Sequence, residues 1–461
     1  MKRLFSALIL SVCFSLCLTS VTASEKAVDL VTGLKPLASV VSGREAKFEL
    51  TGKAQVPIDG RVQPIDLSLV RYDGQSFDLS LTHAEYAITL KRRADATVLI
   101  LPKHGTAFVG RGSVPAEDSL APEDVMTRLI SPASDLVPVT AGLTMLANGN
   151  IEDTLKALAT LAKLEEQTET GAWKSGNTVL KFPDAGVVDV QSGDVSVSLV
   201  TRMEVGPMPA ADTLDGLKVT ELDRGELERT FVRGLRRATE IVRPGEALKK
   251  PKMTGRQTAH GKLQWIDGQR VATLWGTPEE IGKAHGELLP EESRRCIESV
   301  LFTFGTANVV RTGRWFRHDL QEAYVRLSPH IPERHKRETR ALAAALGIEP
   351  EVAEVLNVFP ELFHCSGFAV FGSATKDGKL YHGRVLDYMT TIGLQDAATT
   401  FIVKAEGQIP FANVGYAAFI GSVSGMNAEK ISLGEMGGRG EGKWDGAPMA
   451  TLMRRALEEC D

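Results

Sequence analysis

Apolar and polar positions alternate through much of the first half of the chain. Leu67, Leu69 and Val70 lead into an Asp73-Gly74 turn, and Phe77 and Leu79 resume the alternation beyond it, the pattern of an antiparallel hairpin with one buried face. Residues 97–101, 187–190 and 195–200 read as further strands, the last two joined around Ser192-Gly193. Two stretches switch to a helical period. Leu155, Leu158, Leu161 and Ala162 share a face in one, and Leu227, Phe231 and Leu235 share a face in another that ends near Pro244. Residues 24–242 are therefore expected to form a β-rich α+β domain. No chemical constellation stands out in it, since His83 and His104 are isolated.

The pattern then breaks. Arg243-Pro244-Gly245 and Lys249-Lys250-Pro251-Lys252 mark residues 243–262 as an exposed basic linker. Beyond it, Thr277-Pro278-Glu279-Glu280 has the form of a helix start: Thr277 caps, Pro278 fits the first turn, and Glu280 reaches back as the capping-box acid. Further helices are expected over 291–304, over 332–346 with Gly347 as the stop, and over 350–358. Residues 263–364 thus read as a helical lead-in. From Ser366 the period shortens to two, with strands at 368–371 and 379–382 around a Thr375-Lys376-Asp377-Gly378 turn. Strands at 400–404, 411–414 and 430–433 and an amphipathic helix at 448–459 follow.

Three further observations narrow the picture. Lys2 and Arg3 precede an apolar stretch from Leu4 to Leu18 and a small-residue Val21-Thr22-Ala23 site, so residues 1–23 read as a secretory signal peptide and the mature protein as periplasmic or extracellular. No later stretch is long and charge-free enough to span a bilayer. A net charge of -5 over 461 residues argues against a polyanion binder, and nucleic acid is not an expected partner. After residue 23 the cysteines are Cys296, Cys365 and Cys460, too few for a disulfide framework, so stability must come from hydrophobic cores.

The candidate chemistry centres on Cys365. A deprotonated cysteine is a good nucleophile that needs a base, a positive neighbour and donors for a developing oxyanion. Arg384 lies across one expected hairpin and Asp387 three residues further, so paired strands bring both back toward Cys365. On these residues alone, a buried structural thiol beside a local ion pair is the commoner arrangement.

Four stretches carry a resemblance to a known family. They are Gly276-Thr277-Pro278-Glu279-Glu280-Ile281-Gly282-Lys283-Ala284-His285-Gly286, Cys365 to Gly372, Gly383-Arg384-Val385-Leu386-Asp387-Tyr388, and Gly421-Ser422-Val423-Ser424-Gly425-Met426-Asn427 leading to Gly434-Glu435-Met436-Gly437-Gly438. In order and spacing, from Trp265 onward, the chain resembles the amino-terminal nucleophile hydrolases related to penicillin (isopenicillin N) acyltransferase, with choloylglycine hydrolases as more distant relatives. The resemblance implies an αββα domain in which Cys365 cuts the His364-Cys365 bond and its freed α-amine becomes the general base. Such an amine titrates near pH ~8. It further implies that Arg384 favours the thiolate, that Asp387 positions the α-amine, and that a small-molecule acyl amide or ester forms a thioester on Cys365, with no cofactor. A backbone donor at Gly437 would supply part of an oxyanion hole. Asn427 is a candidate for the same site, with a turn-organising role as the equal alternative.

Residues 365–461 correspond to the first half of such a domain, and the second sheet has no counterpart. The resemblance therefore implies a partial αββα domain, and leaves open a non-catalytic exported envelope or ligand-binding protein carrying an inactive relic. Two other chemistries are set aside. The Gly437-Gly438-Arg439-Gly440-Glu441-Gly442-Lys443 run has the look of a phosphate loop, but Trp444 stands where a magnesium-binding hydroxyl is needed. The histidines show no metal-ligand spacing.

Overall fold

The computed structural model describes residues 28–41, 47–58, 61–121, 150–161, 163–167, 170–210, 214–242, 244–362, 365–386, 390–436 and 444–461. The expected signal peptide lies outside them. The chain divides into two compact units, one of residues 1–246 with 310–313 and one of residues 247–309 with 314–461. Both mix helix and strand, and the α+β class expected from the pattern is the class observed. Among the described residues no helix is long and apolar enough to cross a membrane.

The first unit is organised by a 12-stranded sheet. Strands β1 (Phe48–Ile58), β2 (Arg61–Arg71), β3 (Phe77–His83), β4 (Ala87–Arg92), β5 (Ala96–Leu101) and β6 (Thr106–Arg111) follow one another as antiparallel neighbours. The hairpin read around Asp73-Gly74 is the β2–β3 connection, where Asp73 accepts the backbone N–H groups of Gln75 and Ser76. After β7 (Glu165–Gln167), β8 (Ala172–Ser175), β9 (Thr178–Lys181), β10 (Val187–Ser192) and β11 (Val195–Arg202), strand β12 (Lys218–Asp223) adds to β6 in parallel and runs directly into helix α3 (Arg224–Val242), which follows α1 (Leu30–Val41) and α2 (Ile151–Leu161) in the chain. Leu30, Leu34, Leu155, Leu180 and Phe182 form one core of this unit.

Helix α3 departs from the simple apolar face expected of it. Leu227 is fully buried, yet so is Glu228, which receives Arg92, Arg224, Thr97 and the backbone N–H of Leu120. Four donors around one carboxylate satisfy a charge that burial alone would penalise severely. Charge on this helix face marks an internal network, so the first unit has a polar cluster of structural kind.

The second unit is built on a 7-stranded sheet. Strands β13 (Arg256–Thr258), β14 (Gly261–Ile266) and β15 (Gln269–Gly276) open it. The expected basic linker is thus corrected: its distal part, from Arg256, is paired strand, and the Arg256 guanidinium is held by the Leu288 carbonyl at 2.6 Å. The lead-in also supplies strands to the sheet as well as helices. Strand β15 runs parallel to β18 (Ala398–Ala405), which continues antiparallel into β19 (Phe411–Tyr416), β20 (Ser424–Asn427) and β21 (Ser432–Gly434).

Helix α4 (Pro278–Leu288) begins with the capping box read from the sequence: Thr277 accepts the Glu280 N–H and Glu280 accepts the Thr277 N–H. Gly276 has φ +111°, and a Cβ there would lie 2.4 Å from the Glu280 carboxylate, so the box requires glycine before it. Gly282 and Gly286 serve a different need. They let α4 approach helix α5 (Glu333–Leu346) so closely that a Cβ on Gly282 would sit 2.2 Å from the Glu338 carbonyl oxygen.

His285, also on α4, is buried and accepts the backbone N–H of Ala418 at Nε2, 3.0 Å. That bond places the ring proton on Nδ1. Burial first, and the Arg454 charge second, hold its pKa down to about 3. Because the folded value lies below the ordinary one, the neutral ring contributes stability above about pH 6.5 that is lost as pH falls toward 3. Between pH 5.5 and 4, His285→Gln is expected to remove a slope of about 1.4 kcal/mol per pH unit from the pH dependence of the unfolding free energy, since one proton is involved. Parallel pH profiles for the two proteins in urea titrations would contradict this.

Candidate active site

Strands β16 (Ser366–Gly372) and β17 (Gly378–Val385) form a separate two-stranded sheet immediately after Cys365. The Thr375-Lys376-Asp377-Gly378 turn is where the pattern put it. Asp377 accepts the Lys379 N–H, and Gly372 and Gly378 take the positive φ values, +58° and +71°, that close the loop. The register pairs Gly367 with Arg384. Both strands expose large apolar side chains, among them Phe368, Phe371, Leu380, Tyr381 and Val385.

The hairpin brings Arg384 to Cys365. Nη2 of Arg384 donates to Sγ at 2.7 Å, and the thiol is half-buried. The rest of the guanidinium is committed to the edge of the 7-stranded sheet: Nη1 to the Ser424 hydroxyl at 2.9 Å, Nε to the Glu435 carbonyl at 3.0 Å, and Nη2 also to Glu435 Oε2 at 2.8 Å. Side-chain exposure is 6% for Arg384 and 2% for Glu435. A fork held on two sides has little freedom, so the positive charge is aimed at the sulfur before any substrate arrives. Gly434 makes room for it, since a Cβ there would lie 3.1 Å from Arg384 Cγ.

Glu435 and Ser424 belong to this site although the pattern gave them no role. Both sit in stretches quoted for the family resemblance, but their approach to Arg384 depends on the β20–β21 pairing, which local pattern does not reveal. Glu435 Oε1 is buried with no hydrogen-bond partner among the described residues, so one carboxylate oxygen is left unsatisfied beside the nucleophile.

The other candidates fare differently. Asp387, Gly437 and His364 lie outside the described residues, as does the phosphate-loop-like run 437–443. Asn427 is not brought to Cys365. Its amide donates to the carbonyls of Leu457 and Cys460 at 3.2 and 2.7 Å, while its Oδ1 accepts the Ile431 N–H at 2.8 Å. Every polar atom of that side chain thus organises the β20–β21 turn and the end of helix α6 (Met449–Glu459), the turn-organising alternative. His382 contacts the Ser432 hydroxyl and takes no part in the Arg384 cluster.

Tyr416, at the end of β19, connects the nucleophile to its surroundings. Its hydroxyl is within electrostatic reach of Cys365, Cys296 and Arg384, and burial raises its pKa so that it remains a neutral phenol. The same ring lines a small apolar cavity with Cys296, Phe359 and Phe419. No group of three or more His, Cys, Asp or Glu residues among those described is placed to hold a metal.

The arrangement can therefore polarise a thiol toward its thiolate and present it next to apolar surface. No family model matches the chain, and no curated protein matches it in sequence.

Proposed function

We propose that this chain is an exported cysteine hydrolase or acyltransferase of the amino-terminal nucleophile type, acting on an acyl amide or ester through a thioester on Cys365. The observation that carries this reading is the 2.7 Å contact between Arg384 Nη2 and Cys365 Sγ, with the guanidinium fixed from behind by Glu435 and Ser424. The α-amine freed by cutting His364-Cys365 would serve as the base that takes the thiol proton.

In the first stage Sγ attacks the His364 carbonyl carbon, and the peptide bond to the Cys365 nitrogen breaks as that nitrogen takes the thiol proton. Water then hydrolyses the resulting thioester, leaving a carboxylate on His364 and a free α-amine on Cys365. In the second stage the amine accepts the thiol proton and Sγ attacks the substrate acyl carbon. The leaving amine or alcohol departs with the proton held on the α-ammonium. Water or an acceptor amine resolves the thioester and restores the thiol. Arg384 stabilises the sulfur whenever it carries negative charge.

Mass spectrometry of the mature protein tests the reading. The expected result is a new amino terminus at Cys365 that is lost in Cys365→Ala. An intact chain whose Cys365 never reacts with a thiol probe or an activated acyl donor would instead favour the non-catalytic binding protein.

A further inference from the structure

The loop between β19 and β20 is strained, and side chains from two helices hold it. Ala418 is buried at φ +67°, in the left-handed region, where the Cβ crowds the following carbonyl. An alanine stays in that conformation only when its surroundings fix it. His285 Nε2 accepts the Ala418 N–H at 3.0 Å, and Asn357, at the end of the helix Pro350–Asn357, donates Nδ2 to the Ala418 carbonyl at 3.4 Å. Asn357 Oδ1 also accepts the Ile420 N–H at 2.8 Å. The His285 ring is seated against Phe401 of β18, with centroids 4.7 Å apart.

Residues 417–423 join Tyr416, the last residue of β19, to Ser424, the first of β20. Pairing of β20 with β19 begins only at Gly425, so on that side the loop sets where Ser424 stands. Ser424 Oγ receives Arg384 Nη1 at 2.9 Å, and the Val423 carbonyl receives the Glu435 N–H at 3.0 Å. Ser424 and Glu435 are the two residues that grip the guanidinium behind Cys365 Sγ.

We propose that His285 is a positioning residue for Cys365: by holding Ala418 in its left-handed conformation it fixes the 417–423 loop, and through that loop the Ser424 and Glu435 grip that aims Arg384 at the thiol. The consequence for acyl transfer rests on the function proposed above, whereas the effect on the thiol does not. An apolar side chain could fill the same volume against Phe401, but it would leave the buried Ala418 N–H without an acceptor. That peptide would then turn to find one, and the left-handed conformation, already disfavoured, would be lost first. The Gly276–Gly286 stretch is connected to the site in this way, since Gly282 and Gly286 set how deeply α4, and His285 with it, is seated.

Iodoacetamide labelling of Cys365 against pH in the full chain reads this role without a substrate. The midpoint is expected to move upward in His285→Leu, which offers no acceptor, and to return most of the way in His285→Gln, whose amide oxygen takes the place of Nε2. Asn357→Leu releases the Ile420 N–H on the other side of the turn and is expected to shift the midpoint in the same direction, so the test stands if one variant does not fold. Single-turnover acylation is expected to slow roughly tenfold or more in His285→Leu, in the rate constant and not in the concentration giving half-maximal rate. Urea unfolding of the same proteins separates positioning from support of the fold. A loss of stability with the Cys365 midpoint unmoved overturns the proposal, as does a midpoint that rises as far in His285→Gln as in His285→Leu. A shifted midpoint in a chain that neither cleaves nor acylates would leave the positioning role standing and remove the proposed function, so the two failures are distinguishable.

Discussion

Arg384→Lys is expected to lower acyl transfer at Cys365 by roughly a hundredfold or more while leaving the protein folded. Lysine keeps the positive charge but has no planar fork, so it cannot hold Cys365 Sγ, the Ser424 hydroxyl and both acceptors of Glu435 together as Arg384 does. The charge persists and its aim is lost. Single-turnover acylation with an activated ester, followed by protein mass, separates this from a change in substrate affinity: the acylation rate constant falls and the concentration giving half-maximal rate stays close to wild type. Cys365→Ala loses the adduct on the peptide that carries position 365, while any adduct on the exposed Cys460 remains. If Arg384→Lys acylates at the wild-type rate, the guanidinium geometry is not what activates the thiol.

Arg454→Met is expected to cost about 3–5 kcal/mol of stability, the range found when one partner is removed from a buried ion network. Arg454 is 2% exposed and engages every guanidinium nitrogen: Nε on Glu458 at 2.8 Å, Nη1 on Glu338 and the Ile420 carbonyl, and Nη2 on Glu338 at 2.6 Å. Methionine fills much of the same volume but leaves Glu338 and Glu458 buried with less compensation. His335, which bonds Glu458 at 2.8 Å, retains one contact to that carboxylate. Urea denaturation measures the loss, and a change below about 1 kcal/mol would mean that water reaches the network readily. Arg454 lies on α6, the helix whose first turn is bonded by Glu361.

The parts of this architecture legible in the sequence are those set by neighbours along the chain. The capping box at Thr277 and Glu280 joins residues three apart, and the stop at Gly347, φ +65°, is a local left-handed turn. The β16–β17 hairpin followed from its turn residues, and with it the approach of Arg384 to Cys365. What the pattern did not reveal depends on pairings between distant segments. Glu435 reaches Arg384 only because β20 and β21 pair at the edge of the second sheet, and Asn427 is claimed by carbonyls at the far end of α6.

The same physical limit applies to charge. Glu228 was given no role by the helical period of Leu227, Phe231 and Leu235, and it is interior because Arg92 arrives from a strand remote in sequence. The helix Phe316–Leu327 was missed for a local reason: it begins after Trp315, with no side-chain cap, so the usual start signal is absent although Phe316, Leu320, Ala323 and Leu327 keep a helical period. The strand period placed β16 and β17 but not their burial: Phe368, Phe371, Leu380 and Tyr381 are all more than half exposed.

The central claim is that Arg384 makes Cys365 the reactive thiol, and the pH dependence of its alkylation tests this most directly. Iodoacetamide labelling of the full chain, resolved by peptide, reports Cys365 beside the exposed Cys460 in one sample. The predicted result is a Cys365 midpoint below the ordinary thiol value of about 8.5, moving upward in the double variant Arg384→Gln/Glu435→Gln, which leaves no buried charge unpaired. A Cys365 midpoint at or above the ordinary value, unchanged in the double variant, would contradict the account.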